Sequence, residues 1–160
     1  MYSARYGNIY TVRQLLQLLR EAYGDVTPAN PVWTRDGRFF DAQRPNVEPD
    51  GLDSAELVLE ARASHLKAIC AALTKADVFV FTLGLTEAWM HRDSGTVYPT
   101  APGTIAGSFD ASIYTFHNFT TSEILADLAA VREILQVINP QMKMLLTVSP
   151  VPLTATAAGG

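Results

Sequence analysis

The sequence predicts an α/β protein whose core is a parallel sheet. An amphipathic helix pattern precedes an apolar run at residues 78–83, and a second such helix precedes another apolar run at residues 142–148. Both runs lack the alternation of a half-exposed strand, which is typical of strands that are buried on both faces. Helix, strand, helix, strand is half of a doubly wound sheet, in which neighbouring strands are parallel.

The first helix is predicted to begin after Thr11 and to end at Gly24. Thr11 and Gln14 have the spacing of a capping box, in which a hydroxyl and an amide each satisfy an otherwise unpaired backbone N–H. Gly24 is a natural C-terminal stop. One face of this helix is apolar and comprises Val12, Leu15, Leu16, Leu19 and Tyr23.

Residues 25–51 contain Pro28, Pro31, Pro45 and Pro49, so no single regular element can span them. The Asp-Gly pair at residues 36–37 lies between two short apolar runs and predicts a hairpin. The aromatic side chains of this segment indicate that it covers the core; they are Trp33, Phe39 and Phe40.

The second helix is predicted to begin at Asp53, with Glu56 in the capping position three residues later. Its apolar stripe comprises Leu59, Arg62, Leu66, Ile69 and Leu73, and a neighbouring row includes Val58 and His65. The helix is apolar round much of its circumference, so we expect it to pack on a sheet through a broad face. His65 is expected at the edge of that face in a structural role.

A polar cluster follows the first apolar strand at residues 78–83. Gly84 breaks the apolar run, and Thr86, Glu87 and Trp89 come next. In an open α/β sheet, ligands bind outside the carboxyl ends of the strands, so this cluster lies where chemistry is expected. The alternative is a strand followed by a helix cap, in which Thr86 or Glu87 serves the backbone.

A second hairpin is predicted around the Asp-Ser-Gly turn at residues 93–95, and the chain is then expected to stay irregular up to Thr120. Thr120 and Glu123 form another capping box ahead of the third helix, which Asn139-Pro140 ends. Two parallel strands are too few to stand alone. Either the hairpins extend the sheet or strands are missing at the ends, and we expect missing strands.

Composition excludes several classes of protein. The 160 residues are 48% hydrophobic and 18% charged, with a net charge of −4 and no basic run, so we expect no nucleic-acid partner. No apolar run is long enough to span a bilayer, and no signal-peptide pattern opens the chain, which favours a cytoplasmic location. Cys70 is the single cysteine, so a disulfide framework is excluded. The spacings of the three histidines match no metal-ligand motif, and we expect no metal or cofactor.

Five blocks of the sequence resemble consecutive blocks of the GSCFA-domain family, a bacterial family related to the SGNH/GDSL hydrolases and named for a Gly-Ser-Cys-Phe-Ala motif. In order, they are YGNIYT at 6–11, RPNVEP at 44–49, FTLGLTEAW at 81–89, FHNFT at 116–120 and LTVSPVPL at 146–153. The resemblance covers nearly the whole chain. It implies a three-layer α/β/α, flavodoxin-like fold with a parallel sheet and a serine nucleophile that hydrolyses esters.

The resemblance also implies where an oxyanion hole would lie. In the superfamily the hole combines the nucleophile's own N–H, a backbone N–H at a glycine and an asparagine side chain. Gly7 is similar to that glycine and is followed by Asn8, while residues 84–87 fall where the superfamily has Gly-x-Asn-Asp. The implied oxyanion or substrate-binding candidates are Gly7, Asn8, Gly84, Thr86 and Glu87. Thr86 stands in the place of the asparagine, and its hydroxyl has a shorter reach than an amide.

The catalytic residues of the family have no counterpart in this sequence. The Gly-Ser-Cys-Phe-Ala motif is absent, and so is a histidine after the SPVP segment. No internal serine lies in a Gly-x-Ser-x-Gly elbow, and Pro150 makes Ser149 a strand terminator. We therefore expect one partial domain over residues 1–160, incomplete at both ends, with a disordered tail at 154–160.

The expected function is that of a segment of a serine ester or acyl hydrolase. Its substrate in the intact protein would be a small-molecule ester or an acylated carbohydrate, and the segment alone would be inactive. The alternative is a non-catalytic α/β module that binds a carbohydrate or an acyl group.

Overall fold

A computed structural model describes residues 4–150 and Thr156. In this part of the chain, three helices and seven strands follow one another. The helices are α1 (Val12–Ala22), α2 (Ala55–Lys75) and α3 (Thr121–Ile138). The strands are β1 (Val32–Arg35), β2 (Arg38–Asp41), β3 (Val78–Leu83), β4 (Glu87–His91), β5 (Val97–Tyr98), β6 (Tyr114–Asn118) and β7 (Lys143–Val148).

The predicted starts of α1 and α3 are confirmed, whereas Tyr23, expected on the apolar face of α1, is its C-cap and is 41% exposed. Thr11 caps α1 and Thr120 caps α3, and in each capping box the side chain three residues on returns a hydrogen bond to the cap's backbone N–H. The Gln14 amide oxygen also accepts from the N–H of Tyr10 at 2.8 Å. The Gln14 side chain therefore accepts hydrogen bonds from the backbone N–H groups of Tyr10 and Thr11, which fixes the chain at the start of α1.

The start of α2 differs from the prediction by one residue. Ser54, not Asp53, is the N-cap, and its hydroxyl accepts from the N–H of Leu57. Asp53 instead forms an ion pair with Arg38 of the first hairpin. The expected stripe is also wrong at Leu59, which is 47% exposed, since the face buried on the core runs through Val58, Arg62, His65, Ile69 and Leu73.

The parallel sheet is confirmed, which makes the protein α/β. β3 and β7 pair in parallel from Val78 opposite Lys143 to Leu83 opposite Val148. One face packs on all three helices through Phe81 and its neighbours. The expectation that both faces are buried is wrong within the described residues, because Val80 and Leu145 are 57% and 52% exposed on the other face.

The two predicted hairpins are present, but neither extends the parallel sheet. β1 and β2 form one antiparallel pair, and β4 pairs with both β5 and β6 in a separate three-stranded sheet. The segment before Thr120 was expected to be irregular, yet it contains β6. Its composition explains this, because aromatic and β-branched residues suit a pleated surface.

The aromatic hairpin β1–β2 covers a second core and also contacts α2. Trp33 and Phe40 are almost fully buried against Tyr98 and Tyr114 of the three-stranded sheet. The opposite face of that sheet packs on α3 through Ala88 and Phe119. This sheet is therefore held between the hairpin and α3.

No helix in residues 4–150 is long and apolar enough to cross a membrane. Of the tail expected to be disordered, only Thr156 lies among the described residues, and the rest of residues 154–160 lies outside them.

Candidate functional site

The carboxyl end of β3 meets the three-stranded sheet at residues 84–87. The N–H of Leu85 donates to the carbonyl of Tyr10 at 2.8 Å, and the carbonyl of Thr86 accepts from the N–H of Phe119 at 2.7 Å. The N–H of Ser149 donates to the carbonyl of Leu83 at 2.8 Å. Backbone hydrogen bonds thus join the end of β3 and the turn after it to three other segments of the chain, and these bonds fix the position of the turn.

Gly84 lies where the backbone approaches another segment closely. A Cβ built on Gly84 would lie 3.1 Å from the carbonyl oxygen of Tyr10, which also accepts the Leu85 hydrogen bond. A side chain here would push against a backbone acceptor that cannot move freely. The glycine therefore permits the contact between the two segments.

Thr86 does not present a free hydroxyl to a cleft. Its Oγ1 donates to the side-chain oxygen of Asn118 at 2.8 Å. This contact fixes the Asn118 amide so that its Nδ2 hydrogens point away from Thr86. Both side chains are exposed, and Nδ2 has no partner among the described residues. Sequence reasoning included Asn118 in the FHNFT block but gave it no role, because the pairing of β4 with β6 was not foreseen.

Glu87 is the first residue of β4 and lies opposite Asn118 in the register. The interpretation of Glu87 as favouring a helix N-terminus is wrong, because a strand follows. Its carboxylate accepts from the Thr156 hydroxyl at 2.6 Å. The nearby Arg92 donates to the carbonyl of Ala111 at 2.8 Å.

Gly7 and Asn8 lie on the approach to α1. A Cβ on Gly7 would lie 2.9–3.0 Å from atoms of Arg44, so the backbone packs tightly there. Gly7 also lines a groove of about 430 Å³ along β3. Asn8 is exposed. Tyr10 connects this segment to Leu85, so the candidates of the two blocks approach one another through a backbone hydrogen bond.

A small cleft lies beside Glu87. Its volume is about 220 Å³, and its walls include Tyr10, Leu85, Glu87, Trp89, Thr100 and Phe116. The Thr100 hydroxyl oxygen is buried and has no hydrogen-bond partner among the described residues. A buried unpaired hydroxyl is costly unless a ligand or water satisfies it.

A buried ionic cluster lies apart from this cleft, between α1, α2 and β2. Arg62 of α2 pairs with Glu21 and Asp41, and Asp41 also pairs with Arg44. Burial alone would lower the pKa of Arg62, but the Asp41 and Glu21 carboxylates raise it above its ordinary value. These charges compensate one another, so the cluster serves the fold.

The histidines differ sharply in environment. His65 is 5% exposed, and its Nδ1 lies 2.7 Å from the carbonyl oxygen of Ala4. Burial lowers its pKa to about 4, so it is neutral at pH 7, in keeping with the expected structural role. His117 Nε2 lies 2.9 Å from the Glu123 carboxylate. Hydrogen bonds from the backbone and hydroxyl of Thr120, followed by that from His117, lower the pKa of Glu123 to about 2.

The described residues contain no serine–histidine pair of the kind that hydrolases use. His91 Nδ1 accepts from the backbone N–H of Ser94 at 3.3 Å, whereas the Ser94 hydroxyl donates to Thr96. Among residues 4–150 and Thr156, no cluster of three metal-ligating side chains occurs.

The fold and the cleft define an α/β protein with a polar cluster at the carboxyl end of a parallel strand. The model of the GSCFA family matches residues 1–159, and the chain belongs to that family. A search of curated proteins and a search of solved structures each found no match to this chain.

Proposed function

We propose that this chain provides the oxyanion-binding and substrate-binding side of a serine ester or acyl hydrolase of the GSCFA type. The observation that carries the proposal is the hydrogen bond from Thr86 to Asn118 beside the carboxyl end of β3. It leaves the Asn118 amide N–H group as an oriented donor where ligands of α/β sheets bind.

Asn118 supplies the amide donor that Thr86 itself cannot. In ester hydrolysis a serine oxygen attacks the acyl carbon, the carbonyl oxygen becomes negatively charged, and the alcohol leaves with a proton from the general acid. A fixed amide N–H stabilises that oxygen because it needs no reorientation as the charge develops. Thr86 is a positioning residue, since it acts by holding the amide oxygen of Asn118.

The nucleophile and the general base are assigned to no residue of this chain. The Gly-Ser-Cys-Phe-Ala motif does not occur in the 160 residues. We therefore expect the purified chain to hydrolyse p-nitrophenyl acetate no faster than buffer does. Turnover that disappears on serine modification would contradict this assignment.

The donor role is tested in a family member that carries both this segment and the Gly-Ser-Cys-Phe-Ala motif. Replacement equivalent to Asn118→Ala should lower kcat by roughly a hundredfold to a thousandfold. Thr86→Val should lower kcat less, because the amide remains but can rotate. Asn46→Ala, an exposed asparagine away from the cleft, is the matched control. Full turnover in Asn118→Ala, with folding intact, would refute the oxyanion role.

A second candidate is a binding module without catalysis. The observation that favours it is the aromatic wall that Trp89 and Phe116 give the cleft beside Glu87. An aromatic wall with a few fixed polar groups is typical of small-ligand sites. Ligand binding combined with no turnover in a family member that carries the serine motif would favour this candidate over the hydrolase.

A further inference from the structure

The cleft beside Glu87 has one aromatic wall of fixed geometry. Trp89 of β4 lies opposite Phe116 of β6, and Glu87 lies opposite Asn118. Side chains two residues apart on a strand share a face, so all four project from the same face of the sheet. The Trp89 and Phe116 ring centroids are 5.8 Å apart, and the ring planes are inclined at 67°.

The ring of Phe109 packs against Trp89 and supports the aromatic wall. Its ring lies 5.1 Å from that of Trp89, again edge to face. Rings held in this way keep their orientation, so the wall offers a rigid apolar surface at little entropic cost.

Hydroxyl-binding groups stand beside the aromatic wall. The Glu87 carboxylate already accepts a hydroxyl, that of Thr156, at 2.6 Å. The Thr100 hydroxyl is buried and unpaired within the described residues. The Asn118 amide lies next to the cleft but outside its walls, as the register partner of Glu87, and its N–H group has no partner among the described residues. The cleft wall therefore supplies an acceptor and a hydroxyl that can donate or accept, and an amide donor lies next to it.

We propose that this cleft binds one pyranose ring of a carbohydrate. The less polar face of the ring packs on Trp89 and Phe116, and its hydroxyl groups hydrogen-bond to Glu87 and, after the Thr100 side chain rotates toward the cleft, to the Thr100 hydroxyl. One hydroxyl takes the position that the Thr156 hydroxyl holds at Glu87. The volume of about 220 Å³ suits one small ring and not a drug-sized ligand.

A hydroxyl-rich ligand fits this cleft better than an acyl chain does. A hydrocarbon chain would cover Glu87 and leave the Thr100 hydroxyl buried without a partner, and both are unfavourable. A carbohydrate satisfies both groups and uses the aromatic wall as well. The inference deepens the proposed function, because it makes the substrate an acylated carbohydrate and places its acyl group toward Asn118.

The inference is tested on the 160-residue chain by NMR, without any need for turnover. The ¹⁵N-labelled chain is titrated with methyl β-D-glucopyranoside, with methyl β-D-galactopyranoside and, as an acyl probe, with butyrate. We expect at least one glycoside to shift the indole N–H of Trp89. The Trp33 indole is the internal reference, because it is buried behind Tyr98, a residue of the cleft wall, and its shift should be smaller than that of Trp89.

Matched variants identify the groups that bind. Thr100→Val keeps the side-chain shape and removes the hydroxyl, so it should weaken glycoside binding by about threefold to tenfold. Thr104→Val, an exposed threonine outside the cleft walls, should leave binding unchanged. Glu87→Gln should weaken binding as well, since an amide accepts a hydroxyl hydrogen bond less strongly than a carboxylate does.

Several results would overturn the carbohydrate assignment. They are no shift of the Trp89 indole with any glycoside, equal shifts of both indoles, a response to butyrate alone, or full binding in Thr100→Val and Glu87→Gln together. The hydrolase proposal and the carbohydrate-site proposal can each be refuted without refuting the other. Glycoside binding without esterase activity in a family member that carries the motif would remove only the catalytic proposal. Hydrolysis without glycoside binding would remove only the carbohydrate site.

Discussion

The guanidinium of Arg62 is a buried charge whose partners are also buried. It contacts the carboxylates of Glu21 and Asp41, and all three side chains are less than a tenth exposed. Replacement by Met would leave two buried carboxylates without this cation. We expect Arg62→Met to lower the free energy of unfolding by about 3–5 kcal/mol, measured by urea denaturation. Arg132→Met, at an exposed position of α3, should change it by less than about 0.5 kcal/mol.

His65 makes the stability depend on pH in a defined direction. Burial lowers its pKa from 6.5 in the unfolded chain to about 4, the hydrogen bond to Ala4 opposes this, and the cations of Arg44 and Arg62 add to the lowering. Asp41, also nearby, acts the other way. Between pH 6.5 and 4 the unfolded state binds a proton that the folded state does not, so stability falls as the pH falls through this window.

The measurement is the free energy of unfolding from pH 7.5 to 4.5 for the protein and for His65→Gln. The variant is expected to be less stable at pH 7.5 and to lose less stability on acidification. Equal pH slopes in the two proteins would show that His65 titrates normally in the folded state.

At the scale of elements, the capping box at Thr11 fixes the start of α1. The Thr11 side chain is 2% exposed, and its Oγ1 accepts from the N–H of Gln14 at 3.2 Å. We expect Thr11→Ala to destabilise the protein by about 1–2 kcal/mol, because a buried backbone donor loses its partner. Thr27→Ala, at an exposed loop position, is the matched control. A loss below about 0.3 kcal/mol would show that water or another group replaces the cap.

The helices and the parallel pair were predictable because their signals are local. Capping boxes, apolar faces and apolar runs each depend on neighbouring residues, and α1, α3 and the β3–β7 pairing follow from them. Strand β6 was missed because its pairing with β4 joins residues that are far apart in the sequence, from His91 opposite Tyr114 to Glu87 opposite Asn118. The contact between Thr86 and Asn118 depends on that pairing, so no pattern within either block could indicate it.

Burial was harder to predict than element type. A strand that is apolar on both faces predicts a covered sheet, but the sequence pattern does not say what covers it. In the described residues the helices cover the face that bears Phe81, while Val80 on the other face remains open. Leu59 shows the same limit of sequence-based prediction. The predicted buried face of α2 included Leu59, but the observed buried face passes through Val58 instead.

At the scale of the whole molecule, the open face of the parallel sheet should govern association. Val78, Val80 and Leu145 lie on this face, each about half exposed or more, and strand edges beside apolar residues favour intermolecular pairing. We expect the 160-residue chain to associate increasingly with concentration, as measured by analytical ultracentrifugation. Leu145→Lys should reduce this association with little effect on stability, because the side chain is already 52% exposed.

Val137→Lys is the matched control for that experiment. Val137 is 85% exposed on α3, away from the sheet, and its replacement makes the same change in charge. If the two substitutions reduce association equally, net charge is the cause and not the sheet face, because added charge acts at any exposed position. A protein that stays monomeric and melts cooperatively at high concentration would show that the open face of β3 and β7 does not drive association.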